Sequence, residues 1–164
     1  TIFNVLGPLT NPAKAPNQVM GVYDKGLVEP IANVLKSLKS RHVMVVHSED
    51  GLDEFSIAKK TYVAELKDDH VSTYTVHPND FGLQVGNLDQ LKAENANESL
   101  ALIRDAFAGN NGAHRDIIAL NAGAAIYVSG LVDSLDNGVQ KASELLTDGS
   151  AQDKLDAYIL ASNN

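Results

Sequence analysis

The chain has 164 residues, 44% of them hydrophobic and 21% charged, which suits one domain with a genuine core and argues against disorder. Its 21 Asp and Glu against 13 Lys and Arg leave a formal charge of -8, which disfavours a nucleic-acid groove, because phosphate contacts need clustered bases such as Lys and Arg. The absence of cysteine excludes disulfides, thiolate chemistry and Cys-type zinc sites. With no apolar run of membrane-spanning length and no signal-peptide pattern, the expected setting is soluble and cytoplasmic, away from membranes.

The opening "TIFNVLGPLTNP" is apolar from its second residue and lacks an initiator Met, the look of a segment cut from something longer. The Pro- and Asn-rich "GPLTNPAKAPN" reads as an ordered loop, restricted by Pro8, Pro12 and Pro16. "QVMGVY" reads as a strand. From Leu27 onward, Leu27, Ile31, Val34 and Leu38 repeat at helical spacing, with Pro30 tolerated in the first turn. Lys36, Lys39 and Arg41, the one basic cluster, mark an ordinary helix end. "HVMVVH" is an unbroken apolar run, the pattern of a strand covered on both faces. Strand, helix, strand makes a βαβ unit with an expected right-handed crossover.

"TYVAEL" and "VSTYTV" are β-branched and aromatic segments separated by "KDDH", a hairpin with one wetter face. Beyond "HPNDFGL" the pattern turns helical: Ala96, Leu100, Ile103 and Phe107 form a stripe, and "GNNGAH" breaks it. A second helix, from about Arg115 to Val128, is apolar nearly all round, with a smooth flank at Ala122, Gly123, Ala124 and Ala125, and should be buried. Leu135, Val139, Ala142 and Leu146 mark a third helix, Leu155 and Ile159 a shorter one that frays into the polar C-terminus. The expected fold is α/β: a layered domain with a mixed, largely parallel sheet flanked by helices.

The stretch "HVMVVHSEDGLDEFS" runs a core strand straight into four carboxylates, Glu49, Asp50, Asp53 and Glu54. In open α/β sheets, ligands bind beyond the carboxyl ends of strands. Magnesium keeps several waters and takes one or two protein carboxylates plus substrate phosphates, so the adjacent Asp53 and Glu54 would suffice for it; the EF-hand spacing that calcium would want is absent. A solvated Asp-Gly turn explains the same letters equally well, and spacing alone leaves both readings open.

His47, Ser48 and Asp50 hold the letters of a hydrolase triad, but near neighbours at a strand end point apart, and no G-x-S-x-G elbow is present. His47 reads as a packing residue, and His42, His70, His77 and His114 as surface residues at element edges. No H-x-x-x-H pair offers zinc its ligands. Gly7 and Gly21 are placed in or beside the sheet and Gly51 in the acidic loop, with neither G-x-G-x-x-G nor a Walker loop. Gly7-Pro8 either lets a ligand approach the backbone closely or shapes a turn. Asn4, Asn11 and Asn121, set among apolar segments, read as hydrogen-bonding backbone; Tyr127 and Phe107 read as core.

At "TIFNVLGPLTNPA", "GVYDKGLVE", "VVHSEDGLDEFS" and "RDIIALNAGAAIYVSG", in that order across nearly the whole chain, the sequence resembles the C-terminal part of the anthranilate phosphoribosyltransferases. That resemblance implies transfer of a ribosyl phosphate from phosphoribosyl pyrophosphate to the amine of anthranilate, in tryptophan biosynthesis. It makes residues 1–164 the C-terminal α/β domain, with the small helical domain and the glycine-rich pyrophosphate loop upstream of Thr1. It also implies Mg2+ held by Asp53 and Glu54, Gly7 beside the anthranilate pocket, no acid-base catalytic residue in this chain, a homodimer for the intact enzyme, and an inactive isolated fragment. The alternatives are a non-catalytic relative that binds nucleic acid, and a nucleoside phosphorylase, from which "LGPLTNPA" would not be expected.

Overall fold

The computed structural model describes residues 2–163, with side chains from Val5 onward. The elements in chain order are α1 (Ile2–Leu9), β1 (Asn17–Gly21), α2 (Val28–Ser37), β2 (His42–Ser48), β3 (Thr61–Lys67), β4 (His70–Val76), α3 (Ala96–Phe107), α4 (Ala113–Ser129), α5 (Leu135–Thr147) and α6 (Ser150–Ser162). The four strands form one sheet in the order β1-β2-β3-β4. β1 and β2 run parallel, with Asn17 opposite His42, while β2–β3 and β3–β4 are antiparallel. The sheet is mixed, as expected, but parallel in only the first of these pairings. After β2 the chain returns through residues 49–60 without a crossover helix, and a strand that re-enters this way pairs antiparallel. The "KDDH" hairpin turns on Asp68 (φ 51) and Asp69 (φ 59), the two successive positive φ values that a tight hairpin with right-twisted strands requires.

β2 is buried on both faces because its side chains alternate between two cores. Val43 and Val45 pack with Val28, Ile31, Ala32 and Leu35 of α2 and with Val5 of α1. Met44 and Val46 pack with Val63 of β3, Leu120, Ala124 and Tyr127 of α4, and Val139 of α5. Ala125 of the smooth flank read on α4 is exposed, but Gly123 lies against α5: a Cβ on Gly123 would stand 2.6 Å from the Val139 nitrogen, and one on Gly138 would overlap the Gly123 carbonyl oxygen. Two helix backbones therefore touch, which only glycine allows.

Several expectations are corrected. The supposed opening loop is helical through Gly7 and Pro8 to Leu9, so Gly7 is on a helix and not in the sheet. Val5 and Leu9, one helical turn apart, pack on the α2 core and hold this helix in place. On α2 the buried stripe is rotated: Val34 is 41% exposed and Leu38 55%. Leu27 sits outside the helix, in a short 3-10 turn capped by the Asp24 side chain, so the inward stripe starts at Val28. On α3, Leu100 and Ile103 are exposed and Ala106 is the buried residue. α6 is as long as α5, 13 residues each, with no buried residue; its strong helix formers and the Gln152–Asp156 bond one turn apart carry it.

Candidate functional site

The carboxyl end of β2 opens into the acidic loop, and the first two acids are engaged at once. Ser48 is buried, and its N–H bonds the Leu52 carbonyl (2.8 Å) while Gly51, at φ +90, closes a turn back onto Ser48. Glu49 pairs with Lys60 at 3.5 Å. Asp50 accepts a 2.5 Å bond from the Ser56 hydroxyl and a longer one from the Leu52 N–H. These two acids shape the loop. Asp53 and Glu54 differ: both are exposed, and among the described residues neither carboxylate has a hydrogen-bond or ion-pair partner. They are adjacent in the chain, and both stand in solvent.

The backbone around this pair is tightly held. On one side the Asp53 carbonyl rests on Gly21 at the end of β1, where an added Cβ would overlap its oxygen and stand 2.6 Å from its carbon. On the other side Phe55 and Ile57 are wholly buried in the α4 core. Asn121 of α4 accepts a bond from the Phe55 N–H (3.0 Å) and donates one to the Phe55 carbonyl (2.9 Å). This confirms the reading of Asn121 as a backbone partner. Asn11 is another, accepting from the Ala13 N–H; the Asn4 side chain lies outside the described residues.

His47 packs at the same end: its Nδ1 donates to the Val22 carbonyl (2.8 Å), tying β2 to the chain leaving β1. With Ser48 turned to the Lys60 carbonyl and Asp50 to Ser56, no triad forms. Two histidines are corrected. His42 is buried, not superficial; its Nε2 meets Glu65 Oε1 at 2.7 Å, and its ring meets Tyr127 edge-on at 4.7 Å. His114 is largely buried and lies 2.5 Å from the Asp105 carboxylate. His70 is exposed, and half-buried His77 caps a turn by accepting from the Asn79 N–H.

The cluster around Glu65 was missed in the sequence. Glu65 also accepts from the Tyr74 hydroxyl (2.7 Å), and Lys67 donates to the Tyr127 hydroxyl (3.2 Å). Burial, and then the Glu65 charge, hold the Tyr74 hydroxyl well above its usual range. The available signal was the lone acid inside "TYVAEL", opposite Met44 of β2, where an inward-facing carboxylate needs partners. This cluster sits at the amino end of β2, remote from the acidic loop.

Gly7 is exposed on α1, with no atom within 4 Å of where a Cβ would stand. A nearby cavity of about 540 Å³, lined by Pro8, Pro12, Pro16 and Leu35 among others, opens at the amino end of β1. Among the described residues no group of three or more His, Cys, Asp or Glu is placed to hold a metal. The donor set at Asp53 and Glu54 is therefore two oxygen-bearing groups in solvent. That suits Mg2+, which completes its shell with water and substrate phosphate, and does not suit zinc or calcium.

Residues 1–152 match the family described as "Glycosyl transferase family, a/b domain". The chain is 62% identical over 164 residues to the anthranilate phosphoribosyltransferase of Ruthia magnifica subsp. Calyptogena magnifica, covering 100% of this chain and 48% of that protein. It is similar to the crystal structure of anthranilate phosphoribosyltransferase from Thermus thermophilus, with a TM-score of 0.88 and 37% identity over 98% of this chain and 47% of that one. It is also similar to the Saccharomyces cerevisiae anthranilate phosphoribosyltransferase in complex with PRPP and Mg, with a TM-score of 0.81 and 28% identity over 95% of this chain and 45% of that one. The chain spans about half the length of the curated relatives it matches.

Proposed function

The chain belongs to the glycosyl transferase family defined by this α/β domain, and from that premise we propose that residues 1–164 are the metal-binding C-terminal part of an anthranilate phosphoribosyltransferase. The observation that carries this reading is the exposed Asp53–Glu54 pair at the carboxyl end of β2, unpartnered among the described residues, beside two acids that the loop itself engages. The PRPP and Mg bound in the yeast relative support the same assignment.

The reaction breaks the bond from the ribosyl carbon to pyrophosphate and joins that carbon to the anthranilate nitrogen. Cationic character builds on the sugar and negative charge on the leaving group, so fixed electrostatic groups contribute most. Asp53 and Glu54 would hold Mg2+, which supplies positive charge against the pyrophosphate. They act as ligands, directly or through water, and not as acid or base. The aromatic amine is already neutral at physiological pH, and the proton it sheds once the new bond forms leaves to solvent or to the departing pyrophosphate, so no protein base is required of this chain. Gly7, with open space above it, would border the anthranilate pocket. The helical domain and the glycine-rich pyrophosphate loop would come from upstream sequence, the intact enzyme would be a cytoplasmic homodimer, and the isolated fragment would turn over negligibly.

The test is to give the intact enzyme anthranilate, phosphoribosyl pyrophosphate and Mg2+, and separately phosphate with a pyrimidine nucleoside. Phosphoribosyl anthranilate from the first mixture alone is the expected result. Turnover of only the nucleoside would overturn the reading in favour of a phosphorylase, and salt-sensitive DNA binding without turnover would overturn it in favour of a nucleic-acid module.

A further inference from the structure

We propose that Asn121 is the positioning residue of the Asp53–Glu54 pair. This inference rests on the function proposed above and assigns a role to a helix residue that faces the loop from below.

Phe55 directly follows Glu54, and the Asn121 carboxamide takes both of its backbone groups, the N–H at 3.0 Å and the carbonyl at 2.9 Å. A neighbouring strand would bond a residue in the same two-sided way. The second hydrogen on Asn121 Nδ2 goes to the Ile117 carbonyl one turn back (3.0 Å). All three bonds fit one orientation of the amide, with the oxygen toward the Phe55 N–H. The clamp is thus anchored to α4 and cannot swing. The Phe55 ring, wholly buried, fixes the same residue from its side chain, and the Asp53 carbonyl is pressed on Gly21.

The peptide unit joining Asp53 to Glu54 is therefore held at Gly21 and the one after Glu54 at Asn121, while among the described residues neither carboxylate has a hydrogen-bond or ion-pair partner. A metal ligand set gains affinity when its backbone is already in place and its side chains are free to coordinate. Asn121 also stands out in "IIALNAGAAIYV": Asn is a poor helix former in an otherwise apolar helix, so α4 itself has no need of it. Losing the amide would leave the Phe55 N–H and carbonyl without partners and let the pair drift.

The experiment compares Asn121→Ala, the pair Asp53→Asn/Glu54→Gln, and their combination in the intact enzyme. Mn2+ binding in the presence of phosphoribosyl pyrophosphate is read by electron paramagnetic resonance, the Mg2+ dependence of turnover by assay, and folding by melting temperature. For Asn121→Ala the expectation is roughly tenfold weaker Mn2+ binding, about 1.4 kcal/mol, with a matching rise in the half-maximal Mg2+ concentration and turnover restored at saturating Mg2+. Added to the acid-pair variant, it should weaken binding no further. Unchanged Mn2+ affinity in a folded Asn121→Ala, with affinity lost in the acid-pair variant, overturns the role of Asn121 alone. Unchanged affinity in the acid-pair variant overturns the metal site itself. If Asn121→Ala does not fold, Asn121→Ser decides by the same binding measurement: a several-fold loss supports the proposal and wild-type affinity overturns it.

Discussion

At the His42 end of the sheet Glu65 is 8% exposed and both its oxygens are occupied, by the His42 ring and the Tyr74 hydroxyl; at the Ser48 end Asp53 and Glu54 stand in solvent, bonded to nothing described. All three are carboxylates in or beside the same β structure, yet their environments assign them opposite work. A buried carboxylate must be satisfied by its own protein, and its partners then lock the fold. An exposed pair on a held backbone keeps its lone pairs for something from outside. Substitutions should therefore separate the two ends: one should lose stability with the metal response intact, the other the reverse.

The largest effect is expected at the exposed end. Asp53→Ala with Glu54→Ala in the intact enzyme should lower the rate of phosphoribosyl anthranilate formation by roughly a hundredfold or more, the scale of losing preorganised electrostatic groups. Its melting temperature should stay within about 2 °C of wild type, since surface changes away from special features stay within about 0.5 kcal/mol. A large fall in melting temperature would erase the contrast between the two ends.

Glu65→Ala is the mirror experiment. Removing one member of a buried polar cluster costs about 3 kcal/mol, read by calorimetry of the intact enzyme as a clear fall in melting temperature. The Mg2+ dependence of whatever folded enzyme remains should match wild type.

Gly21→Ala sharpens the exposed end. The new Cβ must push the Asp53 carbonyl away, so a cost of about 1–3 kcal/mol should appear with a several-fold rise in the Mg2+ concentration needed for half-maximal turnover. A stability loss without that rise would mean the loop moves without disturbing the ligands.

The smallest effect concerns pH. Asp116, in the first turn of α4, has its carboxyl raised by burial, only partly offset by the neighbouring Arg115. A folded-state value above the unfolded one means that the folded protein holds the proton longer, so stability falls as pH rises from the unfolded to the folded value. Asp116→Asn should therefore gain a small amount of stability at pH 7 and almost none near pH 3. Melting curves at the two pH values check it, and an equal gain at both would contradict the cause.

The legible parts of the sequence were those where one face decides everything. "HVMVVH" announced a doubly covered strand because no polar side chain interrupts it, and Leu135, Val139, Ala142 and Leu146 fell on the buried side of α5. The stripes on α2 and α3 misled because several apolar residues there are exposed, and periodicity alone cannot say which of two overlapping stripes turns inward. The start of "GPLTNPAKAPN" reads as loop because Pro and Gly are helix breakers, but the contacts of Val5 and Leu9 outweigh that preference. At the site, residue type singled out the four acids, and the motif resemblance picked Asp53 and Glu54 from them. The Asn121 clamp and the Gly21 contact join residues far apart in the chain, which no local pattern reports. His42 was misplaced for the same reason: its partner Glu65 lies on another strand.

The central claim, that Asp53 and Glu54 are the metal ligands of a phosphoribosyl transfer site, is tested most directly by a Mg2+ titration of phosphoribosyl anthranilate formation. Wild-type intact enzyme is compared with Asp53→Asn/Glu54→Gln, which keeps the shape of both side chains and removes their charge. The expected outcome is a half-maximal Mg2+ concentration displaced upward by tenfold or more, with an unchanged melting temperature. Superimposable titration curves would contradict the claim.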